Sequence, residues 1–140
     1  MGWQTYSVIN ADATQEMGGH TVRLVDGLPR QLDALSLPKS ACLGVLGIPG
    51  LTAYLALTEV CKAKAGETVV ISSAAGQIGH LAGQMAKIMG LRVIGYTRDA
   101  EKASWIKTEL GFDWAFNQTT QDVRQTLKIA TGRVYILLHY

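Results

Sequence analysis

The chain has 140 residues, 48% hydrophobic and 17% charged, which allows a sizeable core and excludes a disordered chain. A formal net charge of +2, with no basic cluster beyond the scattered Lys62 and Lys64, leaves no electrostatic footprint for nucleic acid. Cys42 and Cys61 form no C-x-x-C pair, so neither a disulfide framework nor a metal site is expected, and a reducing, cytoplasmic setting fits.

At the N-terminus, "MGWQTYSVINAD" lacks the charged and apolar regions of a signal peptide, and Tyr6 stands where a myristoylation signal needs Ser or Thr. Residues 1–40 carry short β-like runs broken by Gly, Asp and Pro, too poor in apolar residues to make a domain alone. They read as the tail of another domain. Residues 41–57 carry no charge, but Gly44, Gly47, Pro49 and Gly50 interrupt them and they are short for a membrane span. A turn running into a packed connecting helix, from about Gly50 to Lys64, is expected instead.

From Gly66 onward, strand and helix patterns alternate. "GETVVISS" reads as strand, "QIGHLAGQMAKIMG" as helix, "LRVIGYT" as strand and "DAEKASWIKTELG" as helix. "DWAFN" then reads as a short strand, "TTQDVRQTLKIATG" as helix and "RVYILL" as strand. Repeated βα units predict an α/β fold, a parallel sheet flanked by helices. In the first of these helices Ile78, Leu81, Ala82, Met85 and Met89 share one face, while His80, Gln84 and Lys87 share the other. Asp99 stands at an N-cap position, and Gly90, Gly111 and Gly132 each follow a helical pattern where a left-handed residue is useful.

The stretch "SSAAGQIGHLAG", at 72–83, links the buried run "TVVI" to a helix. Ala74, Gly76 and Gly79 occupy the spacing of the dinucleotide fingerprint G-x-G-x-x-G, with Ala in the first position. The strand before, the helix after and a second βα unit beyond point to pyrophosphate held by first-turn N–H groups and the helix dipole. The plainer alternative is a strand-to-helix turn whose glycines serve packing alone. At the end of the second strand, Thr97 or Arg98 stands where an NAD enzyme places an acid, and Asp99 comes slightly late. Arg98 and Lys102, four apart, suit a 2′-phosphate and so favour NADP; otherwise both are solvated surface cations.

His20, His80 and His139 have no partners at metal spacing and are expected in structural or solvent roles. No Tyr has a Lys four residues on, which disfavours a short-chain dehydrogenase.

The stretch from "GIPGLTAYLALTEVCKAKAG" through "LGFDWAFN" resembles the zinc-independent medium-chain reductases of the prostaglandin reductase type. "GIPGLTAY", "SAAGQIG", Glu101–Lys102 and "LGFDWAFN" carry the likeness, and "GW" at Gly2–Trp3 and "LPKSACLGVLG" extend it. The resemblance implies a Rossmann-type sheet, incomplete here, in residues 41–140, preceded in residues 1–40 by a remnant of a β-rich, GroES-like substrate domain and its connection. It assigns Gly76, Gln77, Ile78 and Gly79 to the pyrophosphate turn, Lys102 to the 2′-phosphate and Thr52 to the nicotinamide. Where the family has a Tyr after the Asn of "FN", this chain has Gln118.

The activity so implied is NADPH-dependent reduction of the C=C bond of α,β-unsaturated ketones and enals such as 15-oxo-prostaglandins, with hydride passing to the β-carbon. The partner is a small enone or enal lipid, with no nucleic acid and no membrane span, and a homodimer is allowed. No catalytic side chain is assigned in this chain. Because the family is longer at both ends, a fragment is expected, with an open sheet edge and unburied apolar surface. Two other readings stay open, a non-catalytic NADP-binding or interaction fragment and a quinone oxidoreductase of the same superfamily.

Overall fold

A computed structural model describes residues 15–17, 20–22, 36–129 and 134–137. The chain divides into two units, Met1–Lys39 and Ser40–Tyr140. In the first, β1 (Gln15–Met17) and β2 (His20–Val22) pair antiparallel, with Glu16 opposite Thr21.

The second unit carries α1 (Ile48–Leu55), β3 (Thr68–Ile71), α2 (Gln77–Ile88), β4 (Arg92–Thr97), α3 (Ala100–Thr108), β5 (Trp114–Asn117), α4 (Val123–Thr126) and β6 (Val134–Leu137). Pro49 sits in the first turn of α1, where its missing N–H costs no hydrogen bond. The connecting helix starts two residues earlier than its sequence pattern suggests. It ends sooner as well, widening into a π-helical turn over Ala56–Val60 and stopping at Cys61. Burial pushes the Cys61 thiol up.

The strands β5, β4, β3 and β6 lie in that order, all parallel. β3 is central and buried on both faces, which is why "TVVI" is a continuous rather than an alternating apolar run. Val69, Ile71 and Val93 face one layer with Ala53, Leu57, Ala82, Ala86, Ile106 and Phe112. Val70, Ile94 and Tyr96 face the other, against Trp114, Phe116, Leu127 and Ile129. Each large side chain so buried contributes about 1.5–3 kcal/mol relative to exposure.

The α2 helix corrects one expectation. Its most buried positions are Gly79, Ala82, Gly83 and Ala86, while Ile78, Leu81, Met85 and Met89 pack only partly buried at the edge of the core. The small residues let the helix approach closely: a Cβ on Gly83 would overlap the Phe112 ring. The expected long helix over 119–132 is also corrected in its described part, up to Ile129. Asp122 caps a single turn, Val123–Thr126, which tightens into a 3-10 turn over Leu127–Ile129. Gly90 and Gly111 adopt φ of 78° and 70°, ending α2 and α3 as expected; Gly132 lies outside the described residues.

An ion pair ties the α/β layers together. Lys87 of α2 bonds Asp113 at 2.8 Å, and the Val93 N–H donates to the same carboxylate at 2.7 Å. Burial alone would raise the Asp113 pKa, but the Lys87 and Val93 hydrogen bonds and the Lys87 charge outweigh it and hold the carboxyl below its ordinary value. Unburied apolar surface is present as expected, with Ile48 80%, Val60 79% and Ile88 87% exposed.

Candidate functional site

Strand order reverses beside β3: β4 and β5 follow on one side, whereas β6 returns to the other. In open α/β sheets the crevice beyond the carboxyl ends of the strands at such a point is the ligand site. The 72–76 turn leaves β3 at that end.

The turn is built from backbone constraints. Ser73 takes the left-handed conformation, with φ of 47°, and its carbonyl accepts the Gly76 N–H at 2.8 Å. The residue bearing the strained torsion is therefore Ser73, not Ala74, the position where the fingerprint has its first Gly. Ala74 is buried instead, its N–H bonded to the Tyr96 carbonyl at 2.9 Å, which ties the turn to the neighbouring strand. Gly76 is the N-cap of α2 and, among the described residues, no side chain caps it. The N–H groups of the first helical turn, at Gln77, Ile78 and Gly79, have no intrahelical acceptor and present positive ends of peptide dipoles to an incoming anion.

The end of β4 is stitched as tightly. The buried Thr97 hydroxyl donates to the Asp99 carbonyl at 2.7 Å, and Asp99 Oδ1 accepts the N–H groups of Glu101 and Lys102 at 2.8 and 3.3 Å. Asp99 is thus spent on capping α3, as its late position in the sequence suggests. Arg98 is left exposed at the turn and Lys102 one helical turn on.

An open pocket of about 210 Å³ lies between these two turns, lined by Ser73, Ala75, Gly76, Thr97, Arg98 and Lys102. It joins a helix N-terminus to two cations. Gly76, Arg98 and Lys102, singled out from sequence, meet there. The others do not line it: Gln77 sends its amide to the Leu43 carbonyl at 2.9 Å, Ile78 packs on the core, and Gly79 is buried against the turn. A Cβ on Gly79 would stand 2.5 Å from the Ser73 carbonyl oxygen, so glycine there lets helix and turn meet. Thr52 is exposed on α1, apart from this pocket.

Ser73 and Ala75 were not among the residues singled out. A left-handed Ser has no signature of the kind a Gly or Asn would give. Among the described residues, no three His, Cys, Asp or Glu side chains come together to hold a metal, and no helix is long and apolar enough to cross a membrane.

The sheet order and the glycine-bearing turn are those of the α/β fold of dinucleotide-binding oxidoreductases. The family model for zinc-binding dehydrogenases matches residues 78–138. Prostaglandin reductase 1 of Oryctolagus cuniculus is 48% identical over 101 residues, which are 71% of this chain and 29% of that protein. The 2-alkenal reductase (NADP(+)-dependent) of Nicotiana tabacum is 38% identical over 128 residues, 91% of this chain and 33% of the relative. Among solved structures, CurA from Vibrio vulnificus in complex with NADPH superposes with a TM-score of 0.61 at 40% identity, covering 64% of this chain and 27% of the other. These matches make the chain similar to the prostaglandin reductases of the medium-chain dehydrogenase/reductase superfamily. It spans about a third of the length of the curated relatives it matches.

Proposed function

We propose that this chain carries the cofactor site of an NADPH-dependent reductase of the C=C bond in α,β-unsaturated ketones and enals, 15-oxo-prostaglandins among them. The observation that carries the reading is the pocket that brings the Gly76 turn, Arg98 and Lys102 together at the carboxyl ends of β3 and β4. The names of the rabbit and tobacco relatives and the NADPH complex of the Vibrio protein support it.

Gly76 and the N–H groups of Gln77, Ile78 and Gly79 hold the pyrophosphate, and Gly79 keeps the helix close enough to the turn for them to converge. Arg98 and Lys102 pair with a 2′-phosphate, which distinguishes NADPH from NADH. Thr52 would stand beside the nicotinamide of the bound cofactor. When bound, NADPH supplies the hydride for the β-carbon of the substrate. The pocket is exposed, so its cations act by position in a screened setting, and α2 contributes oriented N–H groups that need no reorganisation on binding. In this reading residues 41–140 are part of a dinucleotide-binding domain, residues 1–40 belong to a β-rich substrate domain and its connection, the enzyme works in the cytoplasm, and a homodimer is allowed.

The test is a fluorescence titration of the 140-residue chain with NADPH and with NADH, followed by addition of an enone and, separately, a quinone. Tighter binding of NADPH than of NADH supports the site. Enone turnover then supports the full activity, faster quinone turnover the quinone reductase reading, and binding without turnover a cofactor-binding segment. Equal or no binding of the two cofactors overturns the assignment of Arg98 and Lys102.

A further inference from the structure

The imidazole of His80 lies in the first turns of α2, half-buried, with Nδ1 2.8 Å from the Gly76 carbonyl oxygen and its ring 6.2 Å from that of Trp105. A carbonyl oxygen only accepts, so the bonded tautomer carries its proton on Nδ1. The same oxygen accepts the His80 backbone N–H at 3.0 Å. Gly76 O is thus held by two donors from one residue.

This double anchor has a geometric consequence. The Gly76–Gln77 peptide is planar and trans, so fixing its oxygen fixes its N–H in the opposite direction. With the oxygen drawn along the helix toward His80, the Gln77 N–H points out of the helix N-terminus. Gly76 has no side chain to limit rotation about its own backbone bonds, so without the imidazole this peptide is held by the single helical bond. Trp105, contributed by α3, flanks the ring, and the Gln84 amide reaches back to the His80 carbonyl at 3.1 Å.

We propose that His80 is a positioning residue for phosphate binding: its Nδ1–H clamps the Gly76 carbonyl and orients the Gln77 N–H toward the pyrophosphate. The role rests on the cofactor reading of the pocket. His80 touches no ligand in this arrangement and acts wholly through the Gly76–Gln77 peptide. Its role is accordingly set by which ring nitrogen is matched, and two amide side chains separate the alternatives. Asn places its N–H₂ where Nδ1 stands, whereas Gln extends to the position of Nε2.

The experiment compares NADPH affinity of the 140-residue chain with those of H80N, H80Q and H80L, each checked by thermal unfolding. H80Q and H80L are expected to weaken NADPH binding by about three- to tenfold, the effect of one hydrogen bond, with H80N restored to within about twofold. Nitrogen-15 NMR of the imidazoles should show one histidine in the Nδ1–H tautomer, a signal that disappears in H80N. If H80L does not fold, the H80N and H80Q pair still decides. Equal affinity across all folded variants, or an Nε2–H tautomer for His80, overturns the clamp while leaving the cofactor site standing. Failure of the unsubstituted chain to bind NADPH overturns the cofactor reading itself and this role with it.

Discussion

Replacing Gly79 by Ala tests the architecture of the turn most directly. A methyl at this position would stand 2.5 Å from the Ser73 carbonyl oxygen, 2.8 Å from Ala74 Cα and 3.1 Å from the Ala74 carbonyl carbon. All three are backbone atoms of a turn pinned to Tyr96 and Gly76, so no flexible side chain can give way. Overpacking of this kind costs about 1–3 kcal/mol. Against it stands the helix propensity of Ala, worth about 1 kcal/mol over Gly in a helix interior. The net expectation is a destabilisation of about 0–2 kcal/mol, at most about 9 °C in Tm for a unit of this size. Urea unfolding followed by far-ultraviolet circular dichroism measures it, since a lower midpoint at unchanged slope reads as lost stability. A G79A variant stabilised by the full propensity term would refute the close approach of α2 to the 73–74 backbone. The companion G76V places its bulk on the exposed side of the turn, 3.0 Å from the Ser73 oxygen at Cβ. It should retain most helical signal and lose NADPH binding, so the two glycines separate packing from ligand approach.

Three further outcomes follow from particular contacts. Lys102→Ala and Arg98→Ala should each weaken NADPH about tenfold at low salt while leaving NADH within about twofold, with the difference shrinking as salt is raised; equal losses for both cofactors would remove these cations from the 2′-phosphate. Asp99→Ala, which leaves the Glu101 and Lys102 N–H groups without their acceptor, should cost about 1 kcal/mol in chemical unfolding, whereas Asp99→Ser should recover most of it. Because the folded Asp113 carboxyl lies below its ordinary value, its stabilising contribution is complete above the unfolded pKa and is lost as pH falls through the folded one. The stability difference between wild type and D113N, about 1 kcal/mol at pH 7 for a partly exposed pair, should therefore vanish on acidification below the usual carboxylate range; a difference that persists there would mean the Lys87 pairing is not its source.

Much of this protein was legible in local pattern. The buried run 68–71, the helix starting after Gly76 and the cap at Asp99 each rest on nearest-neighbour chemistry: side-chain period, the absence of a Cβ, and a carboxylate within reach of two N–H groups. The α/β alternation after Gly66, and with it a parallel sheet, followed from those signals alone. Tertiary structure decided what depends on non-local approach. Period analysis placed the larger apolar residues of α2 inward, whereas Phe112 arriving from beyond α3 makes the Gly83 side the closest seam. In the described part of the 119–132 pattern the α-helix is held to Val123–Thr126, and a 3-10 turn then brings Leu127 and Ile129 against the core. The left-handed torsion fell on Ser73 since Ala74 is drawn inward by its bond to Tyr96. Amino-acid order determined which segments become strands and which carry anion-binding chemistry. Only the parallel pairing of β3 with β4, which sets their carboxyl ends side by side, decided that Gly76, Arg98 and Lys102 share one pocket, because strand pairing arises from burial between distant segments.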